Sequence, residues 1–249
     1  MFLLPVIVAT TVAASAQSEG EITFITKIDM HAQLPDDDQG KMLKSMLPQY
    51  QEMTSTLLFN AGESLFISGN GDTSEKGENL DDDGNAVKFE IKMDSPNENI
   101  YTDVNSKLVV EQKQLMDKIF LIKDTINPAQ WKISGDTKIV SGLQCFKATM
   151  DSDQGKIEAW YTSQIPVASG PAGFGGLPGM IVHISMNDGN VLITADNIVT
   201  RKLEKGEIVP PSKGKDISRE KYAELEQKKM AQMNEQYNSG DGNVIIITE

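Results

Sequence analysis

A single cysteine, Cys145, stands in the 249 residues, which excludes an intramolecular disulfide. That removes the small stapled scaffolds common among exported chains, so the fold has to rest on an apolar core. Cys145 lies in the alternating run 143–148, where a small buried hydrophobe is its expected role. Histidine is nearly as scarce. Only His31 and His183 are present, and with Cys145 they give no paired spacing of the kind that holds zinc. Long hydrophobic runs are missing too. A membrane-spanning helix needs about 20 apolar residues, and the longest such run, within residues 1–16, is shorter. There is no Walker Lys-Ser/Thr pair, no G-x-S-x-G elbow and no H-E-x-x-H motif.

The segment from Met1 to Ala16 carries no charge, and Ala14-Ser15-Ala16 before Gln17 has the small-residue pattern of a signal-peptide cleavage site. Residues 1–16 are therefore read as a signal peptide, and 17–249 as one exported β-rich domain that does not span the membrane after cleavage. No Lys or Arg follows Met1, so further residues are expected upstream. The cleavage region has no Cys, so nothing in it points to a lipid-anchored product.

Acidic residues outnumber basic ones 36 to 23, a formal charge of −13. Such a surface is soluble and repels nucleic acid and anionic headgroups, so nucleic acid is excluded as a partner.

Along the chain, residues 20–34 read as an opening strand, and a short helix is expected after Gln39, ending before Pro48. Strand patterns follow at 53–68, broken by Asn60-Ala61-Gly62. Residues 69–85 hold six acidic residues against one Lys, and a long mobile acidic loop is expected there. Short strands then recur at 86–93, 99–104, 107–112 and 118–123. Trp131–Ile133 and Thr137–Val140 flank a turn at Ser134-Gly135-Asp136. Further hairpins are expected around 151–155, ending in a positive-φ Gly155, and around Asn187-Asp188-Gly189-Asn190. Ser218 is a helix N-cap candidate, with a C-terminal helix over 218–237. Its apolar stripe is Tyr222, Ala223, Leu225, Met230, Met233 and Tyr237. Val244–Ile247 reads as a terminal strand. The fold class is mainly β: a strongly twisted antiparallel sheet or half-open barrel with one or two packed helices.

Asp81-x-Asp83-x-Asn85 and Asp151-x-Asp153-x-Gly155 open with the rhythm of a calcium loop. Both lack the glycine at position six and the carboxylate at position twelve. No metal or other cofactor is assigned. His183 falls in an apolar strand, where a satisfied core or edge histidine is expected.

The run 170–179, GPAGFGGLPG, is the most distinctive stretch. It is not a dinucleotide fingerprint, because Pro178 occupies the third glycine position and a β-branched run follows instead of a helix. Glycines permit close backbone approach and positive φ, while Pro166, Pro171 and Pro178 restrict the path, so a rigid corner between strands is expected. Gly170, Pro171, Gly176, Leu177, Pro178 and Gly179, with Trp131 and Cys145, form the structural motif. Phe174 either plugs the core under the corner or presents a binding face. Phe174, Trp160 and Tyr161 are the candidate ligand-contacting residues.

Gly176-Leu177-Pro178-Gly179-Met180-Ile181 resembles the hexapeptide of the GLPGLI family, with Met180 in place of Leu. The surrounding order agrees: Trp131-Lys132-Ile133, then 141–148, then Ala159-Trp160-Tyr161-Thr162 and Gly170-Pro171. The resemblance covers about residues 131–186. It implies exported, signal-peptide-bearing, β-rich proteins of Gram-negative Bacteroidota, in the periplasm or associated with the outer membrane. It carries over no cofactor and no catalytic residue.

The expected function is therefore a non-enzymatic envelope protein binding a partner protein, a peptide or an apolar, lipid-like ligand. Two alternatives belong to other classes. One is a peptide- or glycan-directed hydrolase using carboxylates, which requires a convergent pair with a raised pKa. The other is an accessory subunit whose tail at Val244–Ile247 adds a strand to a neighbour.

Overall fold

A computed structural model describes residues 18–69, 73–80, 86–93, 97–127, 129–152 and 155–238. The expectations for residues 1–16, for Asp81-x-Asp83-x-Asn85 and for Val244–Ile247 lie outside the described residues. In chain order come β1 (Gly20–Asp29), α1 (Asp38–Met46), β2 (Tyr50–Phe59), β3 (Glu63–Ser68), β4 (Thr73–Leu80), β5 (Ala86–Met93), β6 (Glu98–Asp103) and β7 (Leu108–Leu115). They continue with β8 (Lys118–Thr125), β9 (Lys132–Val140), β10 (Leu143–Ser152), β11 (Gly155–Thr162), β12 (Met180–Met186), β13 (Val191–Thr200), β14 (Lys215–Asp216) and α2 (Arg219–Asn238).

Twelve strands form one open sheet in the order β14-β8-β7-β6-β3-β2-β1-β13-β12-β11-β10-β9. Every pairing is antiparallel except the two-residue contact of β14 with β8. The fold is thus mainly β, as its alternating apolar residues imply. The first strand sits in the interior of the sheet, with Gly20 opposite both Thr200 and Phe59. In β1 the residues Ile22, Phe24 and Ile28 are buried on one face, the period of two that a half-covered strand requires. Each such side chain contributes about 2 kcal/mol on burial. The main core joins Ile22 and Phe24 to Leu57, Phe59, Phe66 and Ile100 on one side and to Ala148, Ala159, Ile184 and Ile193 on the other, while Ile28 packs with Met30 and Leu47 in a smaller cluster.

Several expectations change in the tertiary structure. The opening strand ends at Asp29 and not at residue 34, because the Asp29 carboxylate accepts from the N–H groups of His31 and Ala32 and caps a 3-10 turn. The acidic stretch 69–85 is not one loop: Thr73–Leu80 is a strand, paired along its length with Ala86–Met93 in a separate two-stranded sheet. The low apolar content of the first arm is offset by the second, AVKFEIKM, which supplies the β-forming alternation and a main-chain partner. Ser134-Gly135-Asp136 is not a turn between two strands. The four-residue step of β9 from Ile133 to Thr137 opposes the two-residue step from Ala148 to Phe146, so the segment is a bulge within one continuous strand. Ala223, placed on the apolar stripe of the C-terminal helix, is exposed.

Local turn signals are found where the residue types place them. Gly155 has φ +114°, and Asn187, Asp188 and Gly189 carry φ of 52°, 55° and 94° between β12 and β13. The helix α1 stops two residues before Pro48 and is N-capped by Asp37, whose carboxylate accepts from Gly40 N–H at 2.8 Å.

The loop 163–179 between β11 and β12 folds back as a plug on the sheet. Ile165 and Leu177 are fully buried, and Ile181 N–H donates to Ser169 O at 2.9 Å. Ser169 Oγ donates to Ser64 Oγ of β3 at 2.9 Å in a buried contact, and Trp131 Nε1 donates to Gly175 O at 2.9 Å. This path needs bare backbone. A Cβ at Gly170 would sit 2.7 Å from Ile181 Cβ, and one at Gly175 would sit 2.8 Å from Ala168 O.

The helix α2 docks through its first two turns. Phe120 and Tyr222 meet edge to face with centroids 5.7 Å apart, and Leu225 packs beside them. Arg219 bridges Glu111 and Asp124, with contacts of 2.8 Å to each. Among the described residues no helix is long and apolar enough to cross a membrane.

Two outcomes follow from this packing. Gly170→Ala is expected to lower stability by about 1–3 kcal/mol through forced displacement of Ile181; a urea midpoint equal to that of the parent chain would refute the close-approach argument. Arg219→Ala leaves Glu111 nearly buried without its cation, at a cost of about 1–3 kcal/mol. Hydrogen exchange should then speed up selectively over residues 219–226, and unchanged exchange there would show that Tyr222 alone holds the helix.

Candidate functional site

The Gly/Pro corner is occupied by packing. Phe174 is half-buried, leans on Trp131 with centroids 6.4 Å apart and packs on the main core. Pro171, Leu177 and Gly179 are buried, Gly176 and Pro178 are exposed, and Gly170 backs onto Ile181. Tyr161 is buried and its ring lies 5.8 Å from that of Phe146. Cys145 is fully buried, its Sγ donates to Leu143 O at 3.4 Å, and burial pushes its thiol pKa up. Trp160 is also buried in the main core, but its ring lies beside ionisable groups.

The register of four strands builds a polar row. Lys147 of β10 stands opposite Trp160 of β11, Trp160 opposite His183 of β12, and His183 opposite Thr194 of β13. Residues directly opposite share a face, and Glu158, two residues from Trp160, shares it too. Lys138 reaches the same face from β9. Its Nζ lies 4.2 Å from the Trp160 ring centroid, and Lys147 Nζ lies 5.8 Å away on the same ring. The sheet curls at this end: Ser141 Oγ, in the β9–β10 turn, donates to Ala195 O of β13 although β11 and β12 lie between them in the sheet. That curl carries the β9 edge over the row.

The charges interlock. Glu158 Oε2 lies 2.5 Å from Lys147 Nζ, and Trp160 Nε1 donates to Glu158 Oε1 at 2.7 Å. Burial raises the Glu158 pKa, but the lysine and the indole N–H outweigh it and the net displacement is downward. Lys138 is displaced downward by burial against the partial offset of Glu158. His183 Nδ1 lies 2.8 Å from Thr194 Oγ1. Burial, then the neighbouring Lys138 cation, pulls the His183 pKa down from 6.5 to about 4, so the imidazole is neutral at pH 7. The face therefore presents a neutral imidazole, a partly dehydrated ammonium and an ion pair locked on an indole. That set can donate hydrogen bonds and receive an acceptor group.

Among the sequence candidates, Trp160 and Tyr161 are buried in the main core and Phe174 is half-buried against Trp131; of the three, Trp160 is the one whose ring meets lysine side chains. Lys138, Lys147, Glu158 and His183 were not assigned to a site from sequence. The visible signal was the Glu158-x-Trp160 spacing opposite Lys147 in a hairpin. Lys138 is separated from Trp160 by 22 positions and gave no local signal.

A hydrolytic carboxylate pair would need one raised pKa. Among the described residues every displaced carboxyl moves down: Asp36, Asp103, Asp124, Asp151, Glu158 and Glu207. Among the same residues no group of three His, Cys, Asp or Glu side chains is placed to hold a metal ion. Asp151, from one of the calcium-like rhythms, pairs with Lys132 at 2.8 Å.

The neutral His183 links stability to pH. The unfolded chain takes up a proton at this residue near 6.5, whereas the folded chain does so only near 4. Its contribution is fully present above pH 6.5 and is lost as pH falls toward 4. Urea unfolding across that window should show a shallower loss in His183→Gln than in the parent, and parallel curves would sink the assignment.

Comparison with known proteins places this architecture. A family model described as "N-glycanase peptide, N-terminal domain" matches residues 85–223, more than half of the chain and including the 176–181 hexapeptide. Two solved structures of PNGF-II, in space groups C2 and P21, align with a TM-score of 0.53 each, at 15% and 16% identity. The alignments cover 82% and 84% of this chain but 32% and 33% of those chains, so the chain spans about a third of their length. At that identity the likeness is one of fold. No curated protein matches the chain. By the extent of the model match, the chain belongs to the family of the N-glycanase peptide N-terminal domain.

Proposed function

We propose that the chain is a non-enzymatic, glycan-directed binding module of the cell envelope, whose ligand is a sugar chain carried on a partner protein or peptide. The family match over residues 85–223 carries this reading, through the N-glycanase in the family's own description. The polar face around Trp160 supports it. Hydroxyl-rich ligands need fixed donors and acceptors, and this face supplies ammonium, imidazole and carboxylate groups held over a buried indole. The downward displacement of Glu158 favours binding over hydrolysis at this face, since a general acid has to hold its proton near neutral pH. Export to the periplasm or outer-membrane surface is part of the proposal. It is supported by the uncharged opening that ends in Ala14-Ser15-Ala16 and by the resemblance to GLPGLI proteins.

Surface plasmon resonance of the full chain against an immobilised N-glycopeptide and its deglycosylated counterpart is the direct test. Micromolar binding, about 8 kcal/mol, is expected for the glycosylated form alone. Equal responses to both peptides would replace the glycan with the peptide as ligand, and native mass spectrometry showing a retained lipid would replace both.

A further inference from the structure

Within the polar face one cation is left without a counter-charge. Glu158 is committed on both oxygens, to Lys147 at 2.5 Å and to the Trp160 indole N–H at 2.7 Å. Lys138 lies over the same ring at 4.2 Å and, among the described residues, forms no ion pair. Lys138 is half-buried on the β9 edge, so its ammonium is partly stripped of water and gains more from an incoming anion than a fully hydrated lysine would. Beside it His183 has Nδ1 tied to the Thr194 hydroxyl. With that hydroxyl donating to Nδ1, the ring proton sits on Nε2, which has no partner among the described residues. An ammonium and an imidazole N–H on one face, next to a shielded aromatic ring, make a two-donor seat for a carboxylate.

Charge on the rest of the molecule narrows the ligand. The chain carries −13, so a polyanion is repelled as a whole and only a single acidic group on an otherwise neutral molecule can profit from the local seat. We propose that Lys138 and His183 form an acid-sugar subsite, which receives the carboxylate of one sialic- or uronic-acid residue on the bound glycan. The proposal rests on the glycan-binding reading above and names the sugar class for the same face.

Isothermal titration of the full chain would compare three ligands: a galactose-terminated N-glycopeptide, its sialylated form, and the sialylated form with the carboxylate converted to a methyl ester. The free acid is expected to bind about tenfold tighter than the ester, the value of one charge-assisted contact. In Lys138→Met this ratio should fall to within about twofold, while Lys138→Arg keeps most of it; near-UV circular dichroism checks the Trp160 environment in each variant. A ratio near one in the parent chain, with the neutral glycopeptide still binding, overturns the subsite and leaves the glycan reading standing. So does a ratio that survives Lys138→Met. Failure of all three ligands overturns both.

Discussion

Backbone without side chains at Gly170, Gly175 and Gly179 is the constraint on which the rest of this structure depends. A loop of 17 residues between two adjacent strands carries many peptide groups, and burying it is costly unless each finds a partner. Here the loop lies so close to its neighbours that strand-like bonds form across it, from Ile181 to Ser169 and from Met180 to Ile165. Any side chain at Gly170 or Gly175 would open those gaps. The close fit lets Ile165 and Leu177 enter the core and lets Ser169 reach β3, so the loop joins two distant parts of one sheet. Trp131 locks the outer side through its indole N–H, which ties the start of β9 to the same plug.

That lock has a consequence for the polar face. β9 is an edge strand, held to the sheet on one side only by β10. Trp131 anchors its beginning, and the Ser141 hydroxyl anchors its end to β13. Pinned at both ends, the strand curls over β11 and brings Lys138 above Trp160. The bulge at 134–136 takes up the extra length that this curvature requires. Architecture and electrostatics are therefore coupled, with the glycine-rich loop setting the path of a strand whose lysine charges the face.

The other end of the sheet is closed differently. β14 is only two residues long, yet it pairs in parallel with β8 and leads directly into α2. The helix covers Phe120 and Ile122 with Tyr222, while Arg219 neutralises Glu111 and Asp124. Past residue 226, Gln227, Lys228, Ala231 and Gln232 are exposed, while Lys229 and Met230 are half-buried. The two ends thus divide the work: one is a docked helix on an apolar patch, the other a curled edge on a charged one.

Much of this was legible along the chain. Alternation placed the strands, Asp188-Gly189 and Gly155 placed turns, and Gly170–Gly179 announced a rigid corner, because each depends on the conformational preferences of a few adjacent residues. Where those local preferences were weak, pairing decided the outcome. Thr73–Leu80 became a strand through the main-chain partner that Ala86–Met93 offers, and Ser134–Asp136 became a bulge because β10 continues past it. Trp160 was recognisable as a candidate by type, but its charged surroundings were not. Lys138, Glu158 and His183 come from three different strands, and only the register of β9 to β12 sets them on one face. The amino-acid order by itself determined a β-rich, disulfide-free, acidic chain with a glycine-built corner, since composition and short-range sterics suffice for that. The tertiary structure alone decided which charges meet, because a charge cluster is made by cross-strand neighbours whose separation in sequence carries no periodic trace.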